Sequence, residues 1–468
     1  MAFDEKQPLI EDNSAESSAQ TAPDTPAKTA TTGLTKRQWL TVVVFGIANF
    51  IAALCISLQA PFYPEEAEAK GASATEYGFV FGIYELTSFI SCPIFGVYLP
   101  KLGPRFVYNA GIFVTAGSCI LFGVLDLVRQ HVSFLALSFA VRVVEALGSA
   151  GTLTATFAII AAEFPQSVAT TFASLETFFG LGLIVGPTIG GLLYQIGGFL
   201  LPFLVTGLVL LVGGIVSVIL LPSEDGCTQL AAANAVATRN SGLIAILKVP
   251  SVSLSAVSIV VSSMSIGFIS ATLEPHLRQF GLSPVLMGVM FIVSGGMYAL
   301  IAPFAGYLCD KGVGPKVLAS IGNVCVASSY MLVGPAPFFP INTILWMVII
   351  GLLIHGTGIG LLLVSAFIDA LHSATKNGFP DDISTYAIVS GLWASAFALG
   401  AFIGPSIGGV MLDFVGFRWG SLVIVSIHII SFFAHLIFLR VESRQPRYTE
   451  IITEEFHPLL GGSHHIKA

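Results

Sequence analysis

Long apolar runs, separated by short polar or glycine- and proline-rich turns, follow one another along almost the whole chain. A helix of about 20 apolar residues is long enough to cross the roughly 30 Å hydrocarbon core of a bilayer. The runs are continuous rather than alternating, so they predict spanning helices and not barrel strands. The twelve predicted helices are 38–60, 75–99, 105–128, 132–161, 167–195, 199–221, 248–273, 284–309, 315–334, 341–371, 381–412 and 417–441.

One long polar break, residues 222–247, divides these helices into two groups of six. Motifs of the first group recur in the second a little over two hundred residues later, which is typical of a parallel structural repeat. The sequence therefore predicts an all-α polytopic membrane protein made of two six-helix bundles. The predicted divisions are a disordered N-terminal tail 1–37, an N-terminal bundle 38–221, a linker 222–247, a C-terminal bundle 248–441 and a C-terminal tail 442–468.

Composition agrees with this pattern, because 54% of the 468 residues are hydrophobic and only 10% are charged. Soluble domains average about 25% charged residues, so a soluble enzyme, a nucleic-acid binder and a disordered protein are excluded. Lysine and arginine are concentrated on the side that holds both tails, which predicts that this side is cytoplasmic. The sequence has no Walker loop, no HExxH motif and no metal-ligand spacing. We therefore expect no catalytic site, no metal and no cofactor, with a proton gradient as the energy source.

The clearest repeated motif is Gly-x-x-x-Gly-Pro-x-x-Gly-Gly, which occurs in the fifth and eleventh predicted helices. Small residues four positions apart let helices approach closely, and proline bends a helix. A single copy would favour ordinary helix packing, whereas two equivalent copies favour two halves that rock against each other. The candidate hinge and packing residues are Gly182, Gly186, Pro187, Gly190 and Gly191 in one copy and Gly400, Gly404, Pro405, Gly408 and Gly409 in the other.

A second repeat lies in the short loops after the second and eighth predicted helices, at Gly96–Arg105 and Gly306–Lys316. Loops of this kind hold helix ends together through an acid, a base and the helix dipole. Asp310 and Lys311 are therefore candidates for a gating pair in the second loop. The first loop has Pro100 at the acidic position, which puts its own latch in doubt. The simpler interpretation of both loops is basic anchoring at the membrane edge.

Charged side chains inside the predicted helices are the main functional signal. Each costs about 2.5–3.5 kcal/mol at mid-helix if it faces lipid, so these side chains must face the protein interior or a wet cavity. The only base in this group is Arg142. The acids, which are candidates for substrate or proton binding, are Glu85, Glu145, Glu176, Glu274 and Asp369.

Either protons or a cationic substrate can neutralise such an excess of carboxylates. Removal of a carboxylate from water favours its protonated form, which makes proton exchange feasible near neutral pH. Competition between protons and a cation for the same carboxylates predicts proton-coupled antiport of an organic cation. Arg142 and Glu145 form a candidate charge-relay or gating pair, although Glu145 is equally explained as a plain ion partner three residues away. Local capping for Glu176 and contact with water for Glu274 are the simpler alternatives.

These motifs resemble those of the major facilitator superfamily, and the Gly-Pro motif of the fifth helix resembles that of its proton antiporters. Arg142-Val-Val-Glu145-Ala and Ala271-Thr-Leu-Glu274-Pro275 resemble segments of the vesicular amine transporters, most of all those that carry polyamines. The resemblance covers roughly residues 40–440. It implies exchange of lumenal protons for cytosolic polyamines such as spermine and spermidine.

Monoamine and acetylcholine transporters of that family place acids in their first and eleventh helices. This chain has none in residues 38–60 or 385–412, which favours a differently arranged site. Two alternatives remain open at this point. One is a proton-coupled carrier of another solute, such as a monoamine or a drug-like cation, and the other is a non-transporting receptor on the same fold.

Both tails contain short motifs that resemble sorting signals. The acidic dileucine pattern, which clathrin adaptors recognise, occurs with Leu9 and Ile10 and again with Leu459 and Leu460. The segment 448–451 resembles a tyrosine-based signal. Chance matches in disordered tails are the alternative. The motifs predict delivery to secretory vesicles or endolysosomes.

Overall fold

The structure is a computed structural model, and it describes residues 36–164, 168–220, 241–380 and 383–444. Every regular element in these ranges is helical, and short 3-10 turns follow α4 at Leu125–Leu127 and α9 at Arg278–Phe280. The α-helices are α1 (Lys36–Ser57), α2 (Tyr63–Ala69), α3 (Ala74–Leu102), α4 (Pro104–Val124), α5 (His131–Glu163), α6 (Val168–Gly197), α7 (Leu200–Leu220), α8 (Ser241–Leu247), α9 (Pro250–Leu277), α10 (Pro284–Asp310), α11 (Pro315–Val333), α12 (Leu345–Lys376) and α13 (Ile383–Arg444).

Eleven helices within the described ranges are long and apolar enough to cross a membrane, which confirms the all-α membrane fold. The eleventh and twelfth predicted helices form one long element, α13, because no polar loop separates them. The backbone of α13 is not helical at Gly416, where φ is 74° and ψ is 170°. This backbone conformation favours glycine. The break lies between the predicted helix ends at 412 and 417, so α13 consists of two arms.

Helix starts follow local capping chemistry. Ser73 and Glu76 form a capping box at the start of α3, in which each side chain bonds to the other residue's backbone N–H. The helices α4, α9, α10 and α11 have proline in their first turn, where the missing N–H costs no hydrogen bond. These signals explain why the predicted boundaries lie close to the observed ones.

Two short helices were not predicted. Tyr63–Ala69 lie between the first two predicted helices, 38–60 and 75–99, but they form α2, whose Tyr63, Pro64 and Ala67 are buried. Likewise, the end of the predicted linker forms α8. Each has seven residues, which is too short for a periodic hydrophobic pattern to be recognised.

The buried apolar residues form two main clusters. One lies within residues 45–210 and the other within residues 259–425. We refer to α1–α7 as the N-terminal half and to α8–α13 as the C-terminal half. The predicted division into tails, bundles and linker stays a prediction, because most of both tails and of the linker lies outside the described residues.

The two halves contact each other through α3 with α13 and through α6 with α10. We call the face where α1 begins and α13 ends the terminal face, and the opposite one the distal face. Close contacts lie in the distal parts of these four helices. In their terminal parts, a Cβ added to Gly96, Gly180, Gly306 or Gly391 would have no atom within 4 Å. The halves are therefore packed together at the distal face and separate toward the terminal face.

Candidate functional site

Both copies of the glycine-proline motif lie at helix contacts, and they pack in the same way. The first three glycines of each copy face a helix of their own half, α1 or α9. The fourth faces the other half. A Cβ added to Gly191 would overlap the carbonyl oxygen of Pro284 in α10, and one added to Gly409 would overlap that of Ala74 in α3.

The motif prolines take part in the same contacts between the halves. A Cβ added to Gly288 would lie 2.5 Å from the Pro187 carbonyl oxygen, and one added to Gly78 would lie 2.5 Å from the Pro405 carbonyl oxygen. Such distances leave room for glycine only. The structure thus places the motif at the surface between the halves, while a hinge motion at these residues stays a prediction.

Polar contacts reinforce the closed distal face. The Asp413 carboxylate of α13 accepts the backbone N–H groups of Ala74 (3.0 Å) and Thr75 (2.7 Å) at the start of α3. A carboxylate at a helix N-terminus is stabilised by the helix dipole. Arg278, just after α9, forms an ion pair with Glu68 of α2 in the other half. The distal face is therefore held by charge as well as by close packing.

Glu85 lies near the middle of α3, at the boundary between the halves. Gly78 and Gly82 of α3 face α13, and Glu85 follows them on the same side of the helix. It is half-buried, and it has no hydrogen-bond or ion-pair partner among the described residues. It interacts electrostatically with Arg142 of α5. Among the four predicted acids whose side chains the structure describes, Glu85 has the carboxylate that is available to a ligand.

Arg142 and Glu145 form a buried ion pair in α5, with Nη1 and Oε2 2.8 Å apart and both side chains 1% exposed. The guanidinium lies 4.7 Å from the ring centroid of Phe122 and 5.8 Å from that of Tyr84. Arg142 Nε and Nη2 and Glu145 Oε1 are buried without a hydrogen-bond partner among the described residues. The pair is neutral overall, but it keeps free donors and one free acceptor.

The sequence indicated only one base, Arg142, to balance the five predicted acids, but the structure shows that two further bases pair with them. Glu274 accepts two hydrogen bonds from Arg278, at 2.7 Å and 2.8 Å. Asp369 is 2.7 Å from Lys316, whose ammonium also bonds to Glu442 at 2.8 Å. Arg278 lies just after α9 and Lys316 lies in the first turn of α11, and their long side chains reach these acids. Two of the five acids are thus neutralised by bases that lie outside the predicted helices or at their ends.

Asp369 also accepts hydrogen bonds from hydroxyl groups. It accepts hydrogen bonds from Ser255 (2.7 Å) and Ser251 (3.3 Å) of α9. These bonds and the ion pair with Lys316 occupy both carboxylate oxygens. Asp369 therefore joins helices of the C-terminal half, and both of its oxygens already accept hydrogen bonds from residues of that half.

The remaining predicted residues lie apart from this region or outside the described part. Asp310 and Lys311 are exposed at the end of α10, and the described residues show no ion pair between them. The Lys311 ammonium lies 5.5 Å from the Tyr307 ring instead. Glu176 belongs to α6, but its side chain lies outside the described residues, as do all residues of the tail motifs at Leu9, Ile10, Leu459 and Leu460.

Sequence reasoning missed a buried polar core in the C-terminal half. Serines recur along one side of α9 at alternating spacings of four and three residues, which is a helical period. Ser255 bonds to Asp369, Ser258 to His435 and Ser265 to His355, and neither histidine was a predicted site residue. The serines are Ser251, Ser255, Ser258, Ser262 and Ser265.

Comparison with known families gives one clear match. A family model described as Major Facilitator Superfamily matches residues 45–379 and 255–466. The "MFS-type transporter SLC18B1" of Rattus norvegicus is 37% identical over 390 residues, which cover 83% of this chain and 84% of that protein. The Homo sapiens protein of the same name is 37% identical over 405 residues, covering 85% and 86%. The "Synaptic vesicular amine transporter" of Homo sapiens is 28% identical over 373 residues, covering 78% and 66%.

Solved structures with the same fold are more distant in sequence. A bacterial homolog of the human lysosomal transporter Spinster, in an inward-facing and occupied conformation, superposes with a TM-score of 0.70 at 14% identity, covering 87% of this chain and 98% of that one. The nucleoside transporter NupG superposes with a TM-score of 0.66 at 12% identity, covering 85% and 98%. These likenesses concern the fold alone.

Proposed function

Because this chain belongs to the major facilitator superfamily and is related to its vesicular amine transporters, we propose that it exchanges protons for organic cations. We propose polyamines such as spermine and spermidine as the substrates. The family is one of membrane transporters and not of enzymes, so its chemistry is reversible binding. In this proposal the two halves alternate between opening at the terminal face and opening at the distal face.

The observation that carries the proposal is the carboxylate of Glu85, which has no hydrogen-bond or ion-pair partner in the part of the chain that the structure describes. It lies between the distal part of α3, which packs against α13, and the terminal part, where the two helices separate. A carboxylate held partly away from water and without a base in contact is neutralised by a proton or by a bound cation. Glu85 therefore supports a site at which the two compete, which is the basis of antiport.

A linear polycation has several separated amines, so it needs further carbonyl or carboxylate acceptors. Glu176 of α6 remains our candidate for a second carboxylate. Glu274 and Asp369, which the sequence suggested as counterparts in the C-terminal half, are held by Arg278 and Lys316. We therefore place the first amine at Glu85 and assign no amine to the two neutralised acids.

Uptake of radiolabelled spermidine into proteoliposomes with an acidic interior tests the proposal. We expect Glu85→Gln to lower the initial rate at least tenfold, because glutamine neither releases a proton nor pairs with an ammonium group. Glu76→Gln is the matched control, since it is the same change in the same helix and glutamine also completes a capping box. Wild-type uptake by Glu85→Gln would refute the assignment.

The alternative solutes are distinguished by a thermal-shift screen on the purified protein. Stabilisation by spermine and spermidine, and not by monoamines, anions or sugars, supports the polyamine assignment. Stabilisation by a monoamine alone would shift the proposal to that class, for which the relatives named as amine transporters are the precedent. A ligand that stabilises the protein but is never carried across the membrane would indicate a receptor.

We further propose that the terminal face is cytoplasmic and that the protein resides in an acidic vesicle. The adaptor-type motifs at Leu9 and Ile10 and at Leu459 and Leu460 would direct it there. Alanine at both pairs is expected to move a fluorescently tagged protein to the plasma membrane. An unchanged vesicular distribution would show that these motifs are not needed for sorting and would contradict adaptor binding.

A further inference from the structure

His355 lies near the middle of α12 with 2% of its surface exposed. Its Nε2 is 2.9 Å from the Ser265 hydroxyl of α9, and its Nδ1 is 2.7 Å from the Ser294 hydroxyl of α10. The ring of Tyr330 in α11 packs edge-on against it at 5.7 Å. One titratable ring thus joins four helices of the C-terminal half.

Equivalent glycine contacts in the two halves show which residues occupy the same position of the repeat. In the N-terminal half, a Cβ added to Gly148 of α5 would lie 2.8 Å from the Gly111 carbonyl oxygen of α4. In the C-terminal half, a Cβ added to Gly358 of α12 would lie 2.8 Å from the Gly322 carbonyl oxygen of α11. Gly358 follows Gly148 by 210 residues, and the same shift takes Glu145 to His355.

The neighbours of His355 follow the same correspondence. Gly78 of α3 and Gly288 of α10 make equivalent contacts with the motif prolines, and they are 210 residues apart. The same offset makes Ser294 the counterpart of Tyr84. Gly182 faces Phe50 of α1, and Gly400 faces Val260 of α9, which is 210 residues later. The same offset makes Ser265 the counterpart of Cys55.

The counterparts differ in how they interact. Tyr84 and Cys55 interact with Glu145 only electrostatically, because Glu145 is hydrogen-bonded to Arg142. Their counterparts Ser294 and Ser265 are hydrogen-bonded to His355. Each half therefore has one buried titratable side chain at the same position of the repeat. In the N-terminal half this side chain is Glu145, and Arg142 is its counter-ion. In the C-terminal half, no carboxylate, lysine or arginine among the described residues is hydrogen-bonded to the imidazole.

The groups around the ring determine what a proton would do there. They are the hydroxyls of Ser265 on α9 and Ser294 on α10 and the aromatic ring of Tyr330 on α11, with His428 of α13 interacting electrostatically. A neutral imidazole donates through one nitrogen and accepts through the other, whereas the protonated ring only donates. Protonation would therefore force a serine hydroxyl to turn and would bury a charge without a counter-ion, which disfavours this arrangement.

The ring also lies next to the contact between the halves. Ser294 precedes Gly295, where an added Cβ would lie 2.9 Å from Ile184 of α6 in the other half. A displacement of Ser294 by the protonated ring is thus transmitted directly to the α6–α10 contact that closes the distal face.

We propose that His355 is a proton-binding site of the C-terminal half, and that its protonation weakens the α6–α10 contact and favours opening of the distal face. The proposal rests on the proposed function in that it makes the proton the coupled ion. It does not depend on which solute is carried.

Labels on the distal face test this inference without any substrate. Leu127 and Phe338 lie on the distal loops of the two halves and are 79% and 64% exposed. In the full-length protein in nanodiscs, spin labels at these positions report the distance between the halves. Between pH 8 and pH 5 we expect the short-distance population of the wild-type protein to fall at least twofold.

His355→Gln and His355→Asn keep a hydrogen-bonding side chain but bind no proton in this range, so both are expected to remain unchanged with pH. His435→Gln is the matched control, because His435 is also buried in the C-terminal half but bonds to Ser258 and to the Ser431 carbonyl oxygen, and it should respond like the wild type. A wild-type response in both His355 variants, or no response in the wild type, overturns the inference. Failed spermidine uptake with an intact pH response overturns only the proposed substrate.

Discussion

At the scale of single residues, Glu85 and Glu145 lie in the same half but have opposite environments. Glu145 is buried against Arg142, whereas Glu85 is half-buried at the boundary between the halves without a partner in the described part. The first carboxylate is therefore neutralised within the fold, and the second is left to a proton or a cation. Assignment of function to buried acids depends on this difference more than on their number.

The Arg142–Glu145 pair gives a stability prediction. Glu145→Gln leaves a buried guanidinium uncompensated, and loss of one partner of a buried pair costs about 3–5 kcal/mol. We expect a clear decrease in the thermal unfolding temperature of the purified protein. The double variant Arg142→Met with Glu145→Gln, which removes both charges, should recover most of the lost stability. A double variant that is less stable than Glu145→Gln would contradict this account.

Sequence alone identified Glu85 as a candidate site acid and offered no local pairing for it, and the structure leaves it unpaired among the described residues. It could not show that Lys316 reaches Asp369, because 53 residues separate them and the contact depends on how α11 packs against α12. Sequence also could not assign a role to His355, since its partners come from three other helices.

At the scale of helices, both glycine-proline motifs contribute to the contact between the two halves. Each supplies three glycines to a neighbour in its own half and one to the opposite half. The helix boundaries were predictable because prolines, glycines and caps mark them in the sequence. The break at Gly416 was predicted as two separate helices, since hydropathy reports apolar length but not backbone continuity.

A methyl group at the fourth motif glycine tests this contact surface. Gly409→Ala places a Cβ against the Ala74 carbonyl oxygen, and overpacking of this kind costs about 1–3 kcal/mol. We expect spermidine uptake to fall about tenfold, which corresponds to about 1.4 kcal/mol. Gly391→Ala in the same helix is the control, because its added Cβ would meet no atom within 4 Å. Equal uptake by the two variants would argue against a tight α3–α13 contact.

At the scale of the whole molecule, the halves are related by a repeat but are not chemically equivalent. Their close contacts and the ion pair between Arg278 and Glu68 lie at the distal face, and the terminal parts of the same helices are separate. The repeat positions carry an ion-paired acid in one half and a histidine with neutral partners in the other. Such an arrangement gives each half its own titratable group at similar depth.

The central claim is that a cation and a proton compete for Glu85. Its most direct test is the number of protons that the purified protein releases when it binds spermidine, measured with a pH-indicator dye in weakly buffered solution beside calorimetric binding. The account predicts proton release by the wild type and by Glu76→Gln, and a loss of both binding and release in Glu85→Gln. Full spermidine binding without proton release, or unchanged release in Glu85→Gln, would contradict it.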